Sequence, residues 1–147
     1  MIDDELRCLQ AMPIFAQIAV PKLKLLAMVA TRMTFDVGTP IMIQGEPASA
    51  VHIIVEGEAE VRRETNGAVL RLAVIGRGTI VGDFGIYLDR PHSATIVPLS
   101  PVSTLQVSAQ DYLDLLMQVP QLSLGVIRQL SRMVIDSNDR YAAALLS

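Results

Sequence analysis

The sequence predicts a mainly β domain with flanking helices, in which the strands close into a roll or sandwich. Apolar residues recur at helical spacing near both ends of the chain, whereas residues 34–107 alternate short β-branched runs with glycines. Many short strands with regular turns are typical of all-β rolls and barrels. At 147 residues, the chain is expected to form a single domain, residues 1–147, with a core of its own.

Helices are expected over residues 3–33. The first, residues 3–12, starts with acidic side chains, which suit the positive end of a helix dipole, and Pro13 ends it. A second helix begins at Pro21, because proline is favoured at the first helical position. The predicted helix continues to Met33, with Leu23, Leu26, Ala27 and Ala30 on one apolar stripe.

The β-roll is expected over residues 34–107. Its strands are predicted from the runs IMI, VHIIV, AEV, VLRLAVI, TIV, SATIV and VSTLQV. The glycines between these runs supply the turns. The clearest hairpin is predicted at Asn66-Gly67, because both residues tolerate the positive φ of a two-residue turn.

Helical spacing returns over residues 108–146. Ser108 is predicted to cap a helix, with Asp111 completing an acidic variant of the capping box. A longer helix begins near Pro120 and, if continuous to Leu146, spans about 40 Å at ~1.5 Å per residue. That is longer than a compact β-roll needs, so the apolar stripe of this C-terminal helix predicts a homodimer. The alternative is that the stripe packs on the chain's own roll. The stripe comprises Ile127, Leu130, Val134, Tyr141 and Leu145.

Composition argues against several kinds of partner. The net charge is −3 and no Lys/Arg cluster is present, which disfavours a nucleic-acid surface. No apolar run is long enough to span a membrane, and the acidic N-terminus does not resemble a secretory signal. The only cysteine, Cys8, is interpreted as a small packed residue in a reducing compartment. We therefore expect a cytoplasmic protein that contacts no membrane.

The residues do not support catalysis. A metalloenzyme site inside a β-barrel needs three or four converging ligands, but the chain has only two histidines, His52 and His92. His52 is interpreted as an ordinary strand residue. A hydrolase triad of Ser93, His92 and Asp83 would rest only on nearness in sequence, and no Gly-x-Ser-x-Gly turn is present. No enzyme activity, metal or cofactor is expected.

Three strings resemble, in order and spacing, the cyclic-nucleotide-binding domain of the catabolite-activator and cAMP-dependent-kinase regulatory type. Residues 13–15, PIF, resemble its entry motif; residues 35–61 resemble its first glycine-punctuated strands; residues 81–95 resemble its phosphate-binding cassette. The resemblance implies a β-roll of the jelly-roll (double-stranded β-helix) type. It also implies a cyclic nucleotide, cAMP or cGMP, as ligand and a last helix that acts as a lid over the base.

The cassette supplies the candidate ligand-binding residues. By this resemblance Asp83 takes the place of the glutamate that accepts a hydrogen bond from the ribose hydroxyl, and Ser93 could donate to a phosphate oxygen. Gly82 and Gly85 would let the backbone approach the ligand, as neither has a Cβ. A short helical turn near Phe84 to Leu88 would point backbone N–H groups at an anion.

The cassette departs from the family at one position, where His92 replaces an arginine. A guanidinium pairs with the cyclic phosphate as a planar, always charged fork. Histidine offers at most one donor in most geometries and has an ordinary pKa near 6.5, so it is mostly neutral at pH 7. The loss predicts binding weaker by on the order of 2–4 kcal/mol. Arg90, two residues earlier, is the other cation considered for the phosphate.

Two functions remain open. One is a sensory module that binds a cyclic nucleotide or related anion weakly at residues 82–95 and signals through the helices after residue 108. The other is a degenerate form of the fold that binds no nucleotide and serves as a dimerisation or protein-interaction module. The chain leaves no room after Ser147 for the DNA-reading helix-turn-helix that the family often appends. It is either a stand-alone sensor or part of a longer protein, with no nucleic-acid partner expected within it.

Overall fold

The computed structural model describes residues 2–147, so that Met1 lies outside the described part of the predicted domain. Two helices come first, α1 (Ile2–Gln10) and α2 (Val20–Val29), joined through a turn of 3₁₀ helix at Pro13–Phe15. The strands follow: β1 (Thr31–Phe35), β2 (Ala50–Glu56), β3 (Ala59–Thr65), β4 (Ala68–Ile75), β5 (Ile80–Val81), β6 (Thr95–Pro98) and β7 (Val102–Ser108). A short helix, α3 (Asp83–Leu88), separates β5 from β6, and α4 (Ala109–Gln118) and α5 (Pro120–Leu146) end the chain.

The strands form two antiparallel sheets that share a core. One sheet has the order β1-β7-β2-β5 and the other the order β4-β3-β6. Their facing sides bury one apolar cluster, to which Ile54 and Val102 contribute from the first sheet and Ala59 and Ile96 from the second. This packing is the sandwich that the glycine-punctuated β-branched runs predicted.

A second, larger cluster lies between the first sheet and the helices. Strand β2 contributes Val51, Ile53 and Val55 to it, while Ile54 points to the core between the sheets. The strand is therefore buried on both faces, which explains why VHIIV is almost continuously apolar rather than alternating. Helix α5 joins this cluster through its first half, with Leu122 and Val126 buried and Leu130 partly buried against it.

The predicted second helix is wrong at its end. Helix α2 stops at Val29 rather than Met33, and Thr31–Phe35 form strand β1. Every residue of β1 is paired with β7, from Thr31 opposite Gln106 to Phe35 opposite Val102. The pairing satisfies backbone groups of β7 that would otherwise form an open sheet edge.

The run IMI is likewise not a strand, because Met42 makes only an isolated bridge to Ile96.

Other local predictions are confirmed. Asn66 and Gly67 have φ of 52° and 78° and close the β3–β4 hairpin. The Asp111 N–H donates to Ser108 Oγ at 3.2 Å, so Ser108 caps α4 as expected. Helix α5 is continuous over 27 residues. Within residues 2–147, no helix combines the length and apolar character needed to cross a membrane.

Candidate functional site

A cavity of about 410 Å³ opens between the β3–β4 hairpin and the segment from β5 to β6. This volume lies within the range of roughly 300–1,000 Å³ that is usual for small-molecule sites. Most of its lining side chains are apolar, including Met42, Val61, Leu72, Ile75, Val81 and Ile96. Met133 of α5 also lines the cavity, so the last helix reaches the site.

Six of the seven candidate residues meet at this cavity: Gly82, Asp83, Phe84, Gly85, His92 and Ser93. The seventh, Arg90, is exposed and lines a separate surface cavity together with Pro47 and Asp89. Asp89 has a φ of 53° and ends α3, after which the Arg90 N–H donates to the Gly85 carbonyl. Arg90 therefore does not line the cavity at which the six other residues meet, although Gly85 borders both cavities.

The two cassette glycines are required by the protein's own packing. Gly82 has a φ of 87°, and a Cβ there would lie 2.8 Å from the Ala50 carbonyl oxygen. A Cβ at Gly85 would lie 2.5 Å from the Arg90 carbonyl oxygen and 2.7 Å from Ala48 Cβ. The structure thus gives these glycines a reason other than the predicted close approach to a ligand: they let α3 fit against neighbouring backbone.

Asp83 places a carboxyl group at the wall of the cavity. Only 4% of the residue is exposed. Burial raises its pKa to about 6, although hydrogen bonds from the Tyr87 hydroxyl and from the backbone N–H groups of Asp83 and Phe84 oppose the shift. At neutral pH the group is therefore a partly desolvated acceptor, close to the point at which it would bind a proton.

A chain of hydroxyl groups runs from Asp83 towards α4. The Tyr87 and Tyr112 hydroxyls lie 2.5 Å apart, with ring centroids separated by 6.1 Å. Burial raises the pKa of both tyrosines, so both hydroxyls stay protonated at neutral pH. Asp83 at the cavity is thus connected through two side chains to a helix outside the roll.

His92 is held against the loop before β2. Its backbone N–H donates to the Glu46 carbonyl at 2.9 Å, and its carbonyl accepts from the Gly45 N–H at 2.9 Å. Its side chain lines the cavity and the residue is only 9% exposed. Within residues 2–147 no hydrogen-bond partner reaches its buried Nδ1.

The charge state of His92 follows from this position. Burial lowers its pKa, an effect that the nearby Glu46 carboxylate only partly offsets. The imidazole of the ligand-free protein is therefore even less charged at pH 7 than its ordinary pKa predicts. A buried nitrogen without a partner costs roughly 1–3 kcal/mol, and such an atom in a native site calls for a physical explanation.

His52 differs from His92, as the sequence predicted. Its Nδ1 lies 2.8 Å from Thr104 Oγ1, and its ring packs edge-on against Phe35 with centroids 5.7 Å apart. Burial lowers its pKa to about 4. His52 is thus a neutral, hydrogen-bonded part of the core.

No group of three or more His, Cys, Asp or Glu side chains in residues 2–147 has the arrangement of a metal site.

Sequence reasoning missed Arg63. This residue of β3 lines the cavity and is the one arginine or lysine to do so among residues 2–147. Its neighbour Arg62 pairs with Thr95, so Arg63 lies on the strand beside the segment that carries His92 and Ser93. Alternation along the strand puts Arg63 on the same face as Val61, which also lines the cavity, and Arg62 on the other. From the sequence, side-chain alternation along the strand could have shown that Arg62 and Arg63 lie on opposite faces. It could not have shown which of the two faces is the side of the cavity.

Phe84 links the cavity to the C-terminal helices. It is exposed and borders both the cavity and a neighbouring groove of about 500 Å³. The far side of that groove is formed by Leu116 of α4 and by Val126 and Ile127 of α5. A ligand that moves Phe84 would therefore change the surroundings of α5.

Comparison with known families identifies one match. The family model described as the cyclic nucleotide-binding domain matches residues 32–119, which is more than half of the chain. The cyclic AMP receptor protein of Thermus thermophilus is 25% identical over 121 residues, which cover 82% of this chain and 56% of that protein. An uncharacterised NTE family protein of Mycobacterium bovis is 27% identical over 134 residues, which cover 91% of this chain but 22% of that protein. The chain thus spans only part of each relative.

Solved structures share the fold. One is the regulatory subunit of a cAMP-independent protein kinase A from Trypanosoma brucei, in a triple mutant bound to cAMP in the A site. It superposes with a TM-score of 0.79 at 22% identity, over 99% of this chain and 52% of that one. The predicted jelly-roll with flanking helices is confirmed.

Proposed function

The chain belongs to the cyclic nucleotide-binding domain family, and on that premise we propose that it is a non-enzymatic sensory module for a cyclic nucleotide, cAMP or cGMP. The ligand binds weakly in the cavity at Gly82, Asp83, Phe84, Gly85, His92 and Ser93. The binding signal is transmitted through the C-terminal helices. Helix α5 also joins two copies of the chain into a homodimer.

The buried, unpartnered Nδ1 of His92 is the observation that carries this proposal. The His92 residue lines an apolar cavity together with Asp83 and the exposed Ser93, while Nδ1 itself is buried. Orientation in small-molecule sites commonly depends on a few polar groups in a mainly apolar pocket. A phosphate oxygen would accept from the imidazolium, and a ribose hydroxyl would donate to Asp83.

Weak binding follows from the charge of this site. The pKa of His92 is lowered by burial, so an anion must be bound by a neutral imidazole or must bring a proton with it.

The first test restores the missing cation. We expect His92→Arg to bind cAMP or cGMP more tightly than the natural sequence by roughly 30-fold to a thousandfold, because a bidentate charged contact is regained. Isothermal titration calorimetry measures both affinities. Thr39→Arg is the matched control, since it adds the same charge at an exposed residue that does not line the cavity. No binding of either nucleotide, even by His92→Arg, would overturn the proposed function.

The same titration at pH 6 and pH 8 tests the role of the imidazole. A bound phosphodiester favours the charged ring, so affinity is greatest below the pKa of free His92 and decreases as pH rises through the higher pKa of the complex. The other ionisable groups near the His92 imidazole are Glu46, His52 and Asp83. Ionisation of Asp83 near pH 6 acts in the opposite direction, because the carboxylate is the better acceptor for a hydroxyl.

His92→Gln separates these two effects, because Asp83 is present in both proteins. The natural sequence should lose more affinity between pH 6 and pH 8 than His92→Gln does. Parallel pH profiles for the two proteins would remove His92 from the set of ligand contacts.

The second candidate function is a protein-interaction module that binds no nucleotide. It is favoured by the exposed apolar residues of β4: Val69, Leu70, Leu72 and Val74. Exposed apolar side chains concentrated on one strand are typical of an interaction surface. The calorimetric test distinguishes the two functions, since this one predicts no heat of nucleotide binding with any variant at position 92.

A further inference from the structure

Arg63 is a positively charged residue at the cavity that does not belong to the phosphate-binding cassette. It lies on β3, whereas the cassette residues lie between β5 and β6. The β3–β4 pairing shifts register after Val61, which pairs with Ala73, while Arg62 pairs with Arg71. Leu72 is the extra residue of this bulge and also lines the cavity. Bulges commonly redirect side chains at binding sites.

The neighbouring arginines are both paired with one carboxylate, that of Glu60. Arg62 Nε lies 2.7 Å from Glu60 Oε1, and Arg71 Nε lies 3.6 Å from the same oxygen. Among residues 2–147, no carboxylate forms an ion pair with Arg63. Of the three arginines on this hairpin, Arg63 is therefore the one that keeps its charge available, and it is also the one at the cavity.

We infer that Arg63 is an anion-pairing residue of this site and supplies, from β3, part of the positive charge that His92 lacks. The inference rests on the proposed function and specifies its ligand chemistry. The ligand contacts Arg63 on β3 as well as Asp83, His92 and Ser93. A guanidinium suits this role because its planar N–H groups can contact two phosphate oxygens at once.

The charge balance also selects the kind of phosphate. A cyclic phosphodiester carries a single negative charge, whereas a phosphomonoester carries about −1.5 to −2 at pH 7. Arg63 is the only Lys or Arg at the cavity in residues 2–147, and Asp83 adds negative charge to it above pH 6. The site should therefore prefer a cyclic monophosphate to the corresponding 5′-monophosphate, whose second charge remains unbalanced.

The test uses the full chain of natural sequence, because an arginine at position 92 would itself supply the charge that Arg63 is inferred to supply. Titration with cAMP, 5′-AMP and adenosine is compared for this chain and for the same chain with Arg63→Gln. We expect Arg63→Gln to weaken cAMP binding by roughly tenfold or more, the loss of a hydrogen bond to a charged group. Adenosine binding should be unchanged, because adenosine carries no phosphate. Arg63→Lys should retain part of the affinity, since it keeps the charge but not the fork.

Arg77→Gln is the matched control, because Arg77 is exposed, carries the same charge and does not line the cavity. Equal cAMP affinity with and without Arg63 would overturn the inference and leave the proposed function standing. An equal loss for cAMP and adenosine would also overturn it, because Arg63 would then act through packing. A natural chain that binds no cAMP while the His92→Arg protein does would overturn this inference alone. No binding of any probe to the His92→Arg protein would overturn the proposed function and this inference together.

Discussion

His52 and His92 are both buried, and their surroundings give them different roles. The His52 ring is hydrogen-bonded to Thr104 and packed on Phe35, whereas His92 Nδ1 has no partner within residues 2–147. A satisfied polar side chain adds specificity to a core, while an unsatisfied one is destabilising until something binds it. Stability measurements should therefore report on His52, and ligand binding on His92.

His52 and Asp83 should affect stability in opposite directions between pH 4 and pH 6. The folded-state pKa of His52, about 4, lies below the ordinary value of 6.5, so the unfolded chain binds more protons and this group makes stability increase with pH. The folded-state pKa of Asp83, about 6, lies above 3.8, so its contribution decreases with pH. Each shift amounts to on the order of 3 kcal/mol across its interval.

The prediction is that two single variants change the pH slope of stability in opposite directions. His92, whose pKa burial also lowers, is present in both proteins. In His52→Gln the Asp83 effect remains, so the slope of the free energy of unfolding between pH 4 and pH 6 should be more negative than in the natural sequence. In Asp83→Asn the His52 effect remains, and the slope over the same interval should be more positive than in the natural sequence. Urea unfolding followed by circular dichroism measures both slopes, with the natural sequence between them. Two variants with the same slope would contradict these pKa shifts.

The turn between β5 and α3 depends on a glycine at position 82, and Gly67 provides its matched comparison. Both have positive φ, 87° and 78°. A Cβ at Gly67 has no neighbour within 4 Å, whereas one at Gly82 would lie 2.8 Å from the Ala50 carbonyl oxygen. Gly67→Ala should cost about 1–2 kcal/mol for the left-handed conformation alone. Gly82→Ala should cost more, because the backbone must also move.

Urea unfolding of the two variants measures this difference. Gly82→Ala should also weaken cyclic nucleotide binding, since Gly82 directly precedes α3 and touches the cavity, whereas Gly67→Ala should leave it unchanged. Equal losses of stability for the two substitutions would mean that the turn adapts without strain.

Elements whose signals are local were predictable from the sequence. The Asn66-Gly67 hairpin and the Ser108 cap depend on residues that are adjacent or three apart, and both are present. The end of α2 was not predictable, because nothing in residues 30–33 stops a helix. Strand β1 forms there because β7, more than sixty residues later, supplies its hydrogen-bonding partner.

The candidate site was partly predictable for the same reason. Six residues of one contiguous segment were found together, because a local motif carries them. Arg63 was missed because it reaches the cavity from another strand. The exclusion of Arg90 depends on a chain reversal at Asp89, where a residue other than glycine adopts a positive φ.

At the scale of the whole molecule, α5 has two parts with different environments. Its first turns are packed on the core through Leu122 and Val126, and Gly125 allows close contact with the Ile14 carbonyl. From residue 131 onwards every residue is exposed or nearly so. Its apolar stripe remains uncovered, with Ile127 and Val134 each 58% exposed and Tyr141 67% exposed.

An uncovered stripe along a long helix is the basis of the proposed homodimer. Two such helices can pack their stripes together, as in a coiled coil, and remove apolar surface from water. Because Met133 of the same helix lines the ligand cavity, pairing of the helices and binding of the nucleotide would be coupled. Coupling of this kind is reciprocal, so a nucleotide that changes the dimerisation constant is bound with different affinity by monomer and dimer.

Ile127→Glu together with Val134→Glu should convert the dimer into a monomer, because two charges would be buried at the centre of the helix pair. Sedimentation velocity over a range of protein concentrations measures the change. Ala143→Glu is the matched control: it adds a charge to an exposed position on the opposite face of the same helix, and the dimer should persist. A natural chain that sediments as a monomer at every concentration would contradict the proposed dimer. If the double variant stays dimeric, the interface lies elsewhere. The exposed apolar residues of β4 are then the next positions to substitute.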